Sequence, residues 1–385
     1  VILCSLDSMA TTLMTRLKLQ GIPHYLIEPD PVRASQLHLD GLPVLVGTVE
    51  NRATYEALRA EHARMVVANC GDTINTNITL TLRELTPHVP IASVVEREES
   101  EDLLELSGST HVMPLKRRLG DHLANRINAG HLQGHVIGRL DELLISEFPI
   151  HNTPLVGRTL REARMREIFG LNVLAVWQRG RLAPATPDTR LEDSSVPVVM
   201  GTSEKMDELN TYLVIYNTNF NPVLVVGGGE VGRASIRALK SRGVAVHLIE
   251  RDEAMRGRLE GVADRLFIGD AADRDLIMGA GLDKAPTVLL TTNDDAMNIY
   301  LAVYCRRLNP GLRIVSRITH ERNIEAIHRA GADFVLSYAS LGAGAVISLL
   351  QGRESVILGE GFDLFYFPLP ASLEGRTLAQ SEIRI

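Results

Sequence analysis

The chain repeats itself at an offset of about 222 positions, and this constrains its fold more than any single motif. The opening VILC (1–4) meets VLVV (223–226), and HYLIEPD (24–30) meets VHLIERD (246–252). VLVGTVENRATYEAL (44–58) meets LFIGDAADRDLIMGA (266–280), and MVVANCGDTINTN (65–77) meets TVLLTTNDDAMNI (287–299). IASVV (91–95) meets IVSRI (314–318). Each copy runs short apolar strand, helical segment, short apolar strand, repeatedly. That alternation predicts an α/β chain with two tandem Rossmann-like, doubly wound parallel sheets.

The likeness continues past the sheets, where PLVGRTLREARMRE (154–167) matches ASLEGRTLAQSEIRI (371–385). In the first copy this leads into strand, turn at Arg179-Gly180, strand, acidic turn, strand and a short helix, a small α/β lobe. In the second copy the chain stops before any of it, which points to truncation or disorder beyond Ile385. The expected organisation is a large lobe at 1–133, a small lobe at 139–216, a second large lobe at 222–352 and an incomplete small lobe at 354–385. The joints fall near 134–138 and 216–222. The chain also opens inside a strand pattern, as a piece of something larger would.

Composition narrows the function. With 385 residues, 45% hydrophobic and 23% charged, the chain has material for two to four soluble domains. Aromatic residues make up 4% and the formal net charge is −7, which argues against stacking platforms for single strands and against any nucleic-acid partner. The three cysteines, Cys4, Cys70 and Cys305, have no metal-ligand spacing and fit a reducing compartment. No secretory signal precedes the first strand. The most apolar stretch, FVLSYASLGAGAVISLL (334–350), carries early Ser337, Tyr338 and Ser340 and reads as a buried strand plus a packed helix rather than a membrane span.

In the second copy Gly227, Gly229 and Gly232 satisfy G-x-G-x-x-G between a β run and a helical run. Glycine there lets the backbone turn tightly and approach a pyrophosphate. The helix then offers free N–H groups and its positive dipole end. The turn residues are Gly227, Gly228, Gly229, Glu230, Val231 and Gly232. Glu250, followed by Arg251, ends the second strand, where a carboxylate binds ribose hydroxyls and repels a 2′-phosphate. This favours NAD or an adenosine nucleotide over NADP. At the carboxyl ends of later strands, Gly269, Asp270 and Ala271 and then Thr291, Thr292 and Asn293 should line the same crevice. Asp270 either contacts ribose or base or caps the next helix, and Asp294 also fits an N-cap. Arg317 either neutralises phosphate or makes a surface salt bridge. The alternative for the whole motif is a glycine turn kept for packing.

In the first copy Ser5, Asp7 and Ala10 occupy the three glycine positions. Glu28 persists, but Asp7 puts negative charge where phosphates would sit. The first copy is expected to be structural or specialised for another ligand. An oxidoreductase would need a proton donor after the nucleotide domain, and neither small lobe offers a His/Asp pair or a Tyr-x-x-x-Lys pair. His247 and His320 fit packed or solvated histidines, and HERNIEAIH at 320–328 is not H-E-x-x-H. No catalytic residue is assigned, and the pattern is that of a sensor.

The nucleotide lobe, GD after the third strand, TTNDDAMN after the fourth and the small GRTL lobe together resemble RCK domains (regulator of potassium conductance), known in sequence terms as TrkA-N and TrkA-C. The resemblance covers essentially the whole chain as two tandem units. It implies cytoplasmic gating rings, usually of eight domains and here a tetramer of tandem chains, at the cytoplasmic face of the membrane. Such rings act on a potassium-conducting pore and respond to NAD, ADP, ATP or divalent cations. Carried over, Gly227, Gly229, Gly232, Glu250, Asp270 and Thr291 would be nucleotide contacts. The degenerate first turn resembles the first domain of ligand-gated channels, which favours a channel ring over a stand-alone Trk-type transporter subunit. Calcium enters through the same resemblance, with Asp141, Glu142, Glu147, Glu360 and Asp363 as oxygen donors, although solvated surface carboxylates account for the same residues. The helix at 338–350 would mediate pairing between domains, the alternative being packing on its own sheet.

Overall fold

The computed structural model describes residues 1–127, 134–151, 153–178, 181–216, 219–352, 356–359, 362–364 and 373–375. The turn expected at 179–180 and most of the segment at 354–385 lie outside the described residues.

The first large lobe alternates β1 (Ile2–Leu3), α1 (Ser8–Leu19), β2 (Tyr25–Glu28), α2 (Pro31–Leu39), β3 (Val44–Val46) and α3 (Arg52–Ala57). It continues with β4 (Val66–Ala68), α4 (Asp72–Leu85), β5 (Ile91–Val94), α5 (Glu101–Leu106), β6 (His111–Met113) and α6 (Leu115–Ala124). Its strands form one parallel sheet in the order β3-β2-β1-β4-β5-β6. That is the doubly wound order, with its topological switch between β1 and β4.

A smaller lobe follows: β7 (His135–Leu140), β8 (Leu143–Glu147), α7 (Leu160–Ala163), α8 (Met165–Phe169), β9 (Asn172–Gln178), β10 (Arg181–Pro184), β11 (Val196–Thr202) and α9 (Ser203–Tyr216). Its sheet is antiparallel, ordered β10-β9-β11-β8-β7. The segment read as a joint at 134–138 is strand from His135 onward, and its glycine serves a register shift between Val136 and Gly138. Thr159 and Glu162, within the GRTLREA motif, form a reciprocal capping box that starts α7.

The second large lobe repeats the first: β12 (Val223–Val226), α10 (Glu230–Lys240), β13 (Val246–Glu250), α11 (Arg256–Leu259), β14 (Arg265–Ile268) and α12 (Arg274–Gly279). After these come β15 (Thr287–Leu290), α13 (Asp295–Leu308), β16 (Arg313–Ile318), α14 (Ile324–Arg329), β17 (Phe334–Ser337) and α15 (Tyr338–Gln351). The sheet order is β14-β13-β12-β15-β16-β17. Strands β12, β15 and β16 are buried along their whole length, as strands covered on both faces must be, and β16 takes Arg313, Ser316 and Arg317 into that interior. Strand registers show the copies matching at 222 positions through β15 and at 223 from β16 onward, with the extra residue in the loop after β15.

The last helix of each large lobe packs on the other lobe. Helix α6 crosses α10, and α15 crosses α1. Leu119 and Leu123 join a core with Val231, Ile236 and Leu239, while Val346 and Ile347 join one with Met9, Leu13 and Leu17. A Cβ on Gly120 would lie 2.6 Å from the Ala234 Cβ, so the α6–α10 crossing needs glycine there. The Ser235 hydroxyl fastens it by donating to the Gly120 carbonyl at 2.9 Å. Helix α15 therefore joins the two lobes, as expected of a pairing helix.

Candidate functional site

A cleft of about 350 Å³ opens at the carboxyl edge of the second sheet, between β12 and β15. Its size fits a small-molecule site. Gly227 and Gly229 line it from the turn before α10, and Glu250 and Arg251 from the end of β13. Gly269, Asp270 and Ala271 follow β14, and Thr291, Thr292 and Asn293 follow β15. Five residues named from the sequence stand outside this lining. Gly228, Glu230, Val231 and Gly232 belong to the turn and the start of α10 without lining the cleft, and Arg317 is buried at 5% exposure.

The three motif glycines answer to different requirements. Gly227 has φ +103°, a conformation that side chains resist. Gly232 has no room, since a Cβ there would lie 2.0 Å from the Gly227 carbonyl oxygen. Gly229 has φ −67° and open space where its Cβ would be. Among the described residues no neighbouring atom requires glycine at 229. It is also the N-cap of α10, and no side chain caps that helix, so its first-turn N–H groups face the cleft side without a protein carboxylate or hydroxyl.

Glu250 is fixed by the turn it serves. The Gly228 N–H donates to its Oε2 at 2.6 Å and the Asp252 N–H to its Oε1 at 2.9 Å. Thr291 holds the other side, its hydroxyl 2.9 Å from the carbonyl oxygens of both Val226 and Gly227. Asp270 accepts from the Ala272 N–H at 2.9 Å, while the cap of α12 is Asp273, which leaves Asp270 facing the cleft. Asp294 is the N-cap of α13 and lines the cleft as well. Arg317 makes no surface salt bridge. Its Nη1 donates to Asn293 Oδ1 at 2.6 Å and its Nη2 to the Thr319 hydroxyl at 2.9 Å, and burial lowers its pKa. It thereby orients Asn293 at the cleft wall.

The sequence reading missed the apolar wall, made by Ile249, Met255, Met297 and Leu301. Met297 and Leu301 lie four apart on α13, the spacing of any packed helix face, so sequence offered no signal to separate ligand wall from core.

In the first lobe the same positions close on themselves. Asp7, the counterpart of Gly229, caps α1 by accepting from the Ala10 N–H at 2.8 Å. Asn69, the counterpart of Thr291, donates to the other Asp7 oxygen at 2.6 Å. Burial outweighs these hydrogen bonds and holds the Asp7 pKa above its ordinary 3.8. Glu28 keeps its bond from the Asp30 N–H at 3.1 Å, but pairs with Arg33 at 3.4 Å instead of gripping the turn.

Other sequence candidates are placed elsewhere. His247 is packed, its Nδ1 2.8 Å from the Ala280 carbonyl, and His320 pairs with Asp295 at 3.3 Å. Glu147 is buried in an ion pair with Arg126, whose guanidinium lies between the rings of Trp177 and Phe334 at 5.2 and 4.8 Å. It is therefore not the surface oxygen donor expected. Glu360 and the side chain of Asp363 lie outside the described residues. Among the described residues no group of three or more His, Cys, Asp or Glu side chains is arranged to hold a metal ion, and no helix is long and apolar enough to cross a membrane.

The TrkA-N domain family matches residues 1–114 and 223–338, and the TrkA-C domain family matches residues 145–214. The Trk system potassium uptake protein TrkA of Vibrio alginolyticus is 28% identical over 170 residues, 43% of this chain and 36% of that protein. The chain spans less than half the length of the curated relatives it matches. The structure of the GsuK channel bound to NAD is 33% identical with a TM-score of 0.79, covering 100% of this chain and 69% of that one. GsuK bound to ADP aligns at 25% identity and a TM-score of 0.62, over 91% of this chain and 69% of that one. With both large lobes and the small lobe matched, this chain belongs to the TrkA-N/TrkA-C family, the RCK domains.

Proposed function

We propose that this chain is the ligand-reading part of a gating ring that regulates a potassium-conducting pore, and that its second large lobe binds NAD or an adenine nucleotide, ADP or ATP. One observation carries the reading: Gly229 leaves open space at an uncapped helix start, while its counterpart Asp7 fills that space in the first lobe. The pyrophosphate would lie against the α10 N–H groups, with the ribose hydroxyls at Glu250 and Asp270 and the base along the apolar wall. The similarity to a channel with NAD bound and to the same protein with ADP bound supports these ligands. The domain boundaries expected from the sequence, 1–133, 139–216, 222–352 and 354–385, belong to the same reading.

The mechanism is linkage rather than catalysis. A nucleotide at the start of α10 favours one setting of that helix against α6. Helix α6 leads to Arg126, which is locked onto Glu147 and Trp177 of the small lobe. A coupling of about 1–3 kcal/mol between ligand and ring is of the ordinary size. In the ring we envisage, four tandem chains contribute eight domains at the cytoplasmic face of a membrane. The match to a Trk uptake protein favours one second reading, a regulatory subunit of a Trk-type transporter.

Titration calorimetry with NAD, NADH, NADP, ADP, ATP and calcium tests the proposal. Binding of NAD or ADP without turnover, and weaker binding of NADP, is the expected result. Silence toward every nucleotide would leave the glycine turn a packing device. Heat from calcium alone would move the ligand-reading role away from the glycine turn.

A further inference from the structure

The pseudo-symmetry of the two large lobes creates two related clefts between them, and they differ in size by more than an order of magnitude. Where α10 faces the loop after β5, only about 20 Å³ remains. Where α1 faces the loop after β16, about 740 Å³ is open.

The difference lies in a few side chains. In the closed cleft Arg237 reaches Glu98 at 2.8 Å, Arg117 reaches the same carboxylate at 3.1 Å, and Lys116 reaches Glu96 at 3.7 Å. At the matching positions of the open cleft stand Thr15, Ser340 and Ala339. Glu321, the counterpart of Glu98, is held by the Ser340 hydroxyl and by Arg16 at 3.3 Å. Three long cationic side chains are replaced by short ones, while one cation, Arg16, stands where the closed cleft has Ala238 and lies along Glu321.

The remaining walls have a polarity of their own. Along α1, Ser8, Thr11, Thr12 and Thr15 place four hydroxyls between Leu6 and Leu19, those of Thr11 and Thr15 donating to the carbonyls of Asp7 and Thr11 and so serving as acceptors, with the Asp7 carboxylate at one end. Across the cleft Arg322 supplies an exposed guanidinium, with His320 beside it holding its Nδ1 on Asp295, and Glu321 is already matched by Arg16. Hydroxyl and carboxylate oxygens suit the hydroxyls of a polyol, and a guanidinium suits a phosphate. The volume lies in the range of small-molecule sites.

We infer that this inter-lobe cleft is a second ligand site, separate from the nucleotide cleft, and that it takes a small phosphorylated polyol. The polyol hydroxyls lie along α1 and the phosphate at Arg322 and His320. Because the walls come from both large lobes, an occupant sets their spacing and gives the chain a second input.

The test is calorimetry on the full chain with glucose 6-phosphate, alongside glucose and inorganic phosphate. The double variant Thr15→Arg/Ala339→Lys rebuilds two of the three cations of the closed cleft, and Arg322→Ala removes an exposed guanidinium without touching the core. Glucose 6-phosphate should bind, and both variants should weaken it about tenfold or more. Gly229→Asp, in the other cleft, should leave it unchanged. No binding at about 10 mM overturns the inference, as does affinity that survives both variants. Inorganic phosphate binding as tightly as glucose 6-phosphate would overturn the polyol assignment. Loss of binding in Gly229→Asp would place the probe in the nucleotide cleft instead.

Discussion

The two large lobes share a strand order and a helix following β1 or β12, yet one turn is plugged by a side chain and the other is open. In the first, Asp7 caps its own helix and Asn69 holds it there. In the second, the capping position is Gly229 and Thr291 grips the turn's backbone instead. A fold can thus keep its geometry while a side chain of its own fills in one copy the space that stays open in the other. The lesson is to ask of each motif glycine what its Cβ would strike. Gly232 would strike the protein, whereas Gly229 would strike nothing.

The comparison breaks most severely at position 232. Gly232→Ala drives a methyl into the Gly227 carbonyl, and we expect it to cost about 3 kcal/mol in denaturant unfolding and to remove nucleotide binding. Its mirror change, Ala10→Gly, should cost only about 1 kcal/mol. If both cost the same, the two turns are built alike after all.

Gly229→Asp should convert the open turn into the plugged one. Nucleotide affinity should fall by about 100-fold in calorimetry, while stability holds or rises by about 1 kcal/mol from the new cap. Asp7→Gly should lose only a few tenths of a kcal/mol at the cap position and gain no nucleotide site, because Ser5 and Ala10 remain.

Glu250→Gln replaces charge-assisted acceptance from the Gly228 and Asp252 amides by neutral acceptance. We expect a loss of about 1–2 kcal/mol in stability and a narrower preference for NAD over NADP in competition titrations.

The smallest effects lie in acid. Burial raises the pKa of Asp7, so the ionised form is disfavoured in the folded state and stability falls as pH rises from 3.8. For Asp295 burial works in the same direction. There, hydrogen bonds from the Asn323 amide and the Thr319 and His320 N–H groups prevail and lower the pKa, so its contribution is lost as pH falls below 3.8. Asp7→Asn and Asp295→Asn should therefore change the slope of stability against pH in opposite senses, measured by thermal melts across the acid range. Slopes that change in the same sense would remove the contrast.

The repeat and the glycine spacing were legible because they are local. Strand, turn and helix follow one another within 17 residues at 223–239, and the acid comes at the next strand end. Long-range arrangements were not. Strand β7 was read as a joint because Gly134 and Gly138 look like linker residues, while its pairing with β8 depends on a partner no single segment reveals. Arg317 is similar: its sequence neighbours gave no sign that burial and Asn293 would claim it. The apolar wall of the cleft was hidden for the opposite reason, since Met297 and Leu301 match the pattern of a core.

The exchanged helices also bear on how the chain comes into being. On the ribosome the first large lobe is translated whole, yet the face of α1 that needs Val346 and Ile347 waits for more than 200 further residues. Until then Met9, Leu13 and Leu17 have no lid. Maturation of the first lobe is thus tied to completion of the second, a slow, non-local closure rather than two independent foldings. Separated by proteolysis or expressed alone, each half would offer its bare helix to the matching helix of another copy, and the product would be an intertwined dimer.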